Sequence, residues 1–138
     1  LTPENSVNHD LGPEVTLIGY DLPSMTVTPG GSLRLTLYLS FSRTAIVAPV
    51  NAQFFMRFRE SRSVLYTPID SGPQFKRPDW DLGEVRKVTY EFPIPSGRDF
   101  AFNCEYYLSV NLLFVAPEGR PHWDWSSSYA IFGLCLEP

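Results

Sequence analysis

The sequence is poor in the residues that build reactive sites. It has two histidines and two cysteines in 138 residues. His9 stands beside Asp10, and His122 near Asp124. Neither histidine has a second ligand at metal spacing, such as His-x-x-x-His, and there is no Cys-x-x-Cys pair. No zinc site and no cofactor are therefore expected. No glycine-rich phosphate loop occurs. Ser126, His122 and Asp124 are near neighbours in sequence, but they lack the strand–turn–helix setting of an activated nucleophile. Asp70, Asp79, Asp81 and Glu84 are scattered without the dense Asp/Asn spacing of a calcium loop, and they read as solvated charges. The chain is expected not to be an enzyme. Charge is sparse too: 19% of residues are charged and the net is −4. Phosphate binding needs a basic surface, so nucleic acid is not an expected partner. There is no run of ~18 apolar residues, so no segment reads as a transmembrane helix. With no initiator Met and no basic-then-apolar leader, the chain reads as a processed mature protein or an excised domain.

What is present is apolar, aromatic and full of turns. Hydrophobic residues make up 43% and aromatics 14%, which describes a folded chain and not a disordered one. Thirteen Pro and nine Gly leave little room for long helices. The length fits one domain with a core of useful size. The chain is organised around residues 105–116, EYYLSVNLLFVA. One face reads Tyr106, Leu108, Val110, Leu112, Phe114, and the other Tyr107, Ser109, Asn111, Leu113, Val115. A strand apolar on nearly both faces belongs in the middle of a sheet. Cys104 precedes it and Cys135 lies in the last strand, near 128–136. If those two strands pair antiparallel, the start of the first meets the end of the second, and the cysteines come within disulfide reach. Two separate buried thiols are the alternative. A bridge implies an oxidising compartment, periplasmic or extracellular.

In chain order, residues 1–13 have no periodicity and form an N-terminal arm, mobile unless docked on a partner. Residues 14–138 form the domain. The first strand is 14–22, with Gly19 marking a bulge or a close approach. A short extended piece at 25–28 leads to the turn Pro29-Gly30-Gly31. Residues 32–42 alternate strictly: Leu33, Leu35, Leu37, Leu39 and Phe41 against Ser32, Arg34, Thr36, Tyr38 and Ser40. One face therefore belongs on the core and one in water. Further strands are expected at 52–60, at 64–69 near a sheet edge because of Pro68, and at 84–93. Long loops at 70–83 and 117–127 separate them. About eight strands with turns between them, and no amphipathic helix, predict an all-β fold: a single antiparallel β-sandwich, immunoglobulin-like or jelly-roll.

The segment VTLIGYDLPSMTVTPGGSLRLTLYLS, followed by FFMRFRE, Asp70, the Trp80-Asp81-Leu82-Gly83-Glu84 element, Pro93-Ile94-Pro95 and YYLSVNLLFV, carries a resemblance. In order and spacing it resembles an extracytoplasmic β-sandwich domain appended to some bacterial membrane glycosyltransferases. The resemblance runs from Val15 to about Val115. This chain departs from the family pattern after Leu39: the family usually has a Trp in that strand, and its pattern includes neither Cys104, Cys135 nor the HWDW segment. It implies a β-sandwich with an accessory role beside a glycan-handling enzyme.

Two aromatic sites stand out. Trp80, in the loop beside Gly83, reads as a structural anchor that plugs the open end of the sandwich. Arg120, His122, Trp123, Asp124 and Trp125 form a candidate binding site. Exposed Trp favours interfaces, and it also stacks on sugar rings, with Arg120, His122 and Asp124 able to bond hydroxyls. The bland alternative is that one Trp folds back onto the core. The expected function is a non-catalytic extracytoplasmic structural or interaction subunit that docks on protein partners through its arm, its edge strands and the 117–127 loop. The competing expectation is a carbohydrate-binding accessory domain.

Overall fold

A computed structural model of the chain describes residues 2–11, 15–41, 51–60, 63–66, 75–76, 84–97, 99–115, 121–123 and 128–138. At 41, 51–60, 63–66, 75–76, 92, 111–115 and 121–123 the description is of the backbone. Among these residues there is no helix, and the regular structure is all strand.

The strands are β1 (Asn5–Asp10), β2 (Val15–Asp21), β3 (Thr26–Val27), β4 (Ser32–Phe41), β5 (Asn51–Glu60) and β6 (Ser63–Tyr66). They continue with β7 (Phe75–Lys76), β8 (Val85–Pro93), β9 (Tyr106–Val115), β10 (Pro121–Trp123) and β11 (Tyr129–Leu136). Four make one sheet in the order β1-β2-β4-β8. The others make a second sheet in the order β3-β11-β9-β5-β6, with β10 also on β9 and β7 also on β5. The chain passes repeatedly from sheet to sheet: β2 and β4 are neighbours, while β3 between them belongs to the other sheet. One hydrophobic cluster draws on both. Val15, Leu17, the four leucines of β4 and Tyr90 come from the first sheet. Val27, Tyr106, Leu108, Val110, Ile131, Leu134 and Leu136 come from the second. The architecture is β-sandwich-like.

The alternation in β4 does what its period requires. Leu35, Leu37 and Leu39 have no exposed surface, and Leu33 is buried as well. The opposite face departs from expectation. Arg34 and Ser32 are exposed, but Thr36 and Tyr38 are buried. Cross-strand partners cover them. Thr36 and Thr89 share a 2.9 Å hydroxyl hydrogen bond, and the Lys87 ammonium lies 5.9 Å over the Tyr38 ring.

The central strand sits where its two apolar faces put it. β9 runs antiparallel to β5 over ten consecutive pairs, from Glu60↔Tyr106 to Asn51↔Val115. On its other side it pairs with β11 and β10. The Tyr106 hydroxyl donates to the Ala101 carbonyl at 2.6 Å. That bond fixes the turn into β9 in the manner of a tyrosine corner.

Four expectations need correction. The N-terminal segment is not an arm: Asn5–Asp10 is an edge strand hydrogen-bonded to β2, and Leu11 is fully buried. Its apolar residues are few, so the sequence shows no period, and the strand rests on backbone pairing. The sheets are not wholly antiparallel, because β3 runs parallel to the end of β11 through Cys135↔Thr26 and Leu136↔Val27. The 117–127 segment is not all loop, since Pro121–Trp123 pairs with β9. The 70–83 segment likewise contains β7, paired with β5.

Gly19 meets both of its expected roles. Leu17 pairs with Leu39 and Gly19 with Tyr38, so Ile18 is an extra residue and β2 bulges there. A Cβ on Gly19 would overlap the Asn5 carbonyl oxygen and the Pro3 ring. β1 bulges at the same level, between Ser6 and His9, with Asn8 at φ 56°. Asn tolerates that left-handed conformation, and the paired bulges twist an edge that would otherwise template pairing with another chain.

Candidate functional site

Cys104 and Cys135 are joined in a disulfide, across 31 residues of chain. The pairing follows from the expected strand geometry. β9 and β11 run antiparallel from Tyr129↔Val110 to Leu134↔Tyr106, which sets the segment before β9 beside the end of β11. Leu136 N donates to Asn103 O at 2.9 Å and continues that contact past the cysteine.

This end of the molecule is also where apolar side chains face water. Among the described residues the exposed large hydrophobics are Phe132 at 70%, Phe102 at 55% and Met25 at 37%. All three are close to the disulfide along the chain or across a hydrogen bond. Phe102 is two residues before Cys104. Phe132 is three before Cys135. The Met25 carbonyl accepts from Cys135 N at 2.7 Å. Phe132 pairs across strands with Tyr107, their rings 5.1 Å apart. Three chain segments, each carrying one of these exposed apolar side chains, thus run together at the disulfide.

Gly133 explains why Phe132 points outward. Strict alternation along YAIFGLCL puts Phe132, Leu134 and Leu136 on one face. In the structure Gly133 has φ 85°, and Phe132↔Tyr107 is followed by Leu134↔Tyr106. Gly133 is the extra residue of a bulge. Leu134 and Leu136 go to the core, and Phe132 is left outside. Sequence reasoning missed Phe132, Tyr107, Phe102 and Met25 as surface residues. The glycine inside an apolar strand was the signal available.

A second cluster is polar. Asp21 ends β2 and accepts two hydrogen bonds, from Glu4 N at 2.7 Å and from the Tyr38 hydroxyl at 2.6 Å. Those bonds, the backbone one first, hold its carboxyl below its ordinary value, and nearby Lys87 adds to the effect. The same contact with Asp21 pushes the Tyr38 hydroxyl up. A third grouping is aromatic. His9 and Tyr20 pack on Tyr129 at 5.4 and 6.3 Å. Burial, and then Tyr129, raise Tyr20. Burial pushes Tyr90 far up. Among the described residues no three His, Cys, Asp or Glu groups stand together as a metal cage.

Of the sequence-derived binding residues, His122 and Trp123 lie on β10, opposite Phe114 and Leu113. Arg120, Asp124 and Trp125 lie outside the described residues, as does the proposed anchor Trp80. Trp123 and Tyr129 are six residues apart while their partners Leu113 and Val110 are three apart, so β10 and β11 are not one continuous ladder along β9.

No family model matches this chain, and no curated protein does. Among solved structures, it is similar to Spo0M, a sporulation control protein from Bacillus subtilis. The TM-score is 0.47 at 14% identity, over 91% of this chain and 49% of that one. The chain thus spans about half the length of that protein. Among the described residues no helix is long and apolar enough to cross a membrane.

Proposed function

We propose that this chain is a non-catalytic, extracytoplasmic interaction module that docks on a protein partner through the apolar patch beside its disulfide. The observation that carries the reading is that Phe132, Phe102 and Met25, exposed by 70, 55 and 37%, are carried by three segments that run together at Cys104–Cys135. Exposed apolar side chains scattered singly need no explanation, but several gathered from separate segments favour an interface. The disulfide supports an oxidising location. A finer fold assignment, immunoglobulin-like or jelly-roll, belongs to the same proposal. The tyrosine-corner contact at Tyr106 favours the former.

The test is the native mass of the chain extracted gently from its source, beside a Phe132→Ser, Phe102→Ser variant. A docking module runs in a complex well above 15.7 kDa, and the variant falls out of it. A wild-type chain that runs alone at its own mass overturns the reading. If instead soluble glycan quenches Trp fluorescence, and a Trp123→Ala, Trp125→Ala variant abolishes the effect, the carbohydrate-binding role implied by the resemblance to glycosyltransferase-appended domains takes its place.

A further inference from the structure

The segments that carry the exposed Phe132, Phe102 and Met25 run together at the disulfide, and the two features together point to a kind of partner. Cys104 is exposed and Cys135 half-buried, so one sulfur-bearing residue is open to solvent. Cys104 sits in the irregular segment before β9, outside the paired ladder. Glu105 and Glu137, both exposed, follow the two cysteines along the chain. We propose that Cys104–Cys135 is a site of thiol–disulfide exchange with a protein that carries a Cys-x-x-Cys dithiol on an apolar face with a basic rim. This rests on the patch being a protein-docking surface.

Exchange needs a thiolate delivered to an accessible sulfur, and a protein thiolate must be held there by contacts around the bond. Phe132, Tyr107, Met25 and Phe102 supply apolar contacts. Glu105 and Glu137 attract basic groups and repel small anionic thiols. The partner's thiolate attacks Cys104 Sγ. A mixed disulfide forms as the Cys104–Cys135 bond breaks, and the Cys135 thiolate takes a proton from water. The partner's second thiolate then attacks its own sulfur in the mixed disulfide and releases the Cys104 thiolate, which is protonated in turn. Two electrons pass to Cys104 and Cys135, and the partner's dithiol becomes a disulfide. The Gly133 carbonyl oxygen lies 3.8 Å from the Cys135 sulfur and is placed to accept from its thiol once the bond opens. Cys135 N→Met25 O, Leu136 N→Asn103 O and Glu137 N→Val27 O hold the end of β11 without the bridge, so opening is local. Run in reverse, the same contact installs the bond.

The experiment compares two reductants on the folded, oxidised chain: a bacterial thioredoxin kept reduced, and dithiothreitol. Thioredoxin is expected to open the bond at least about a hundredfold faster than the chain unfolds globally, as local exchange requires. A Phe132→Ser, Met25→Ser variant, and separately Phe102→Ser, is expected to lower the thioredoxin rate about tenfold, as the loss of a docking contact would. Both leave the dithiothreitol rate within about twofold, since a small thiol needs no docking surface. Opening no faster than global unfolding, or equal changes in both rates, overturns the proposal. If the rates ignore the patch while the native complex still depends on Phe132, docking stands and exchange falls.

Discussion

The outer face of the four-stranded sheet and the disulfide end of the larger sheet solve the problem of surface in opposite ways. On the first, polar groups are satisfied by the next strand: Thr36 with Thr89, Tyr38 with Asp21, Ser32 with Glu91 at 3.3 Å. These groups meet their hydrogen-bonding needs within the sheet. On the second, Phe132 is left 70% exposed by a bulge. A surface that binds nothing gains from a polar residue there. The contrast is what supports the proposal that the disulfide end, and not the polar sheet, docks on a partner.

The comparison predicts where the fold is fragile and where it is not. Replacing Cys104 and Cys135 by Ser should cost roughly 3–4 kcal/mol in the chain-entropy model, read as a shift in urea midpoint. An unchanged midpoint would mean that the hydrogen bonds at the end of β11 suffice. Leu37→Ala, in the fully buried ladder of β4, should cost about 3 kcal/mol from lost transfer and cavity formation. Gly19→Ala should cost about 2 kcal/mol by overpacking against Pro3 and Asn5, and hydrogen exchange should show the β1 amides losing protection before those of β4. Uniform loss across the sheet would deny β1 its separate docking.

The polar face should show itself in pH dependence. Asp21 is held below its ordinary value of 3.8, so its contribution to stability is complete above that value and fades as pH falls through the lower folded value. Tyr38→Phe removes one of the two bonds, so the Asp21 carboxyl should titrate closer to its ordinary value by NMR and the acid loss of stability should become shallower. Tyr38 itself is raised, so its contribution is complete below its ordinary value of 10.0 and is lost as pH climbs through the folded value. The smallest effect belongs to the other region. Phe132→Ser should change stability by less than about 0.5 kcal/mol, because the ring is mostly in water already. A large loss of stability would make Phe132 a packing residue and remove it from the proposed docking face.

Much of the fold was legible in the chain itself. The Leu33–Leu39 alternation, the two-faced apolar run of β9 and the Pro29-Gly30 turn are local patterns, and the strands formed where those patterns lie. The disulfide followed once β9 and β11 were set antiparallel. The candidate site was much less legible. Attention fell on Trp123 and its neighbours because Trp is conspicuous, while Phe132 lay unremarked in the last strand and Phe102 in a connecting segment.

By itself the sequence determined where the longer strands β2, β4, β5, β8, β9 and β11 lie and which faces of β4 and β9 are apolar, because period and composition act over a few residues. Only the tertiary structure decided three things. It made 5–10 a strand, since backbone pairing to β2 needs no side-chain period. It buried Thr36 and Tyr38, since their partners Thr89 and Asp21 are 53 and 17 residues away. It turned Phe132 outward, since a single residue in a left-handed conformation, Gly133, inverts the faces of a strand, and it brought the segments of Phe102 and Met25 to the same disulfide. The first two depend on what a distant segment brings, which no local pattern encodes, and the third on which way a bulge at one glycine is resolved by the neighbouring strand.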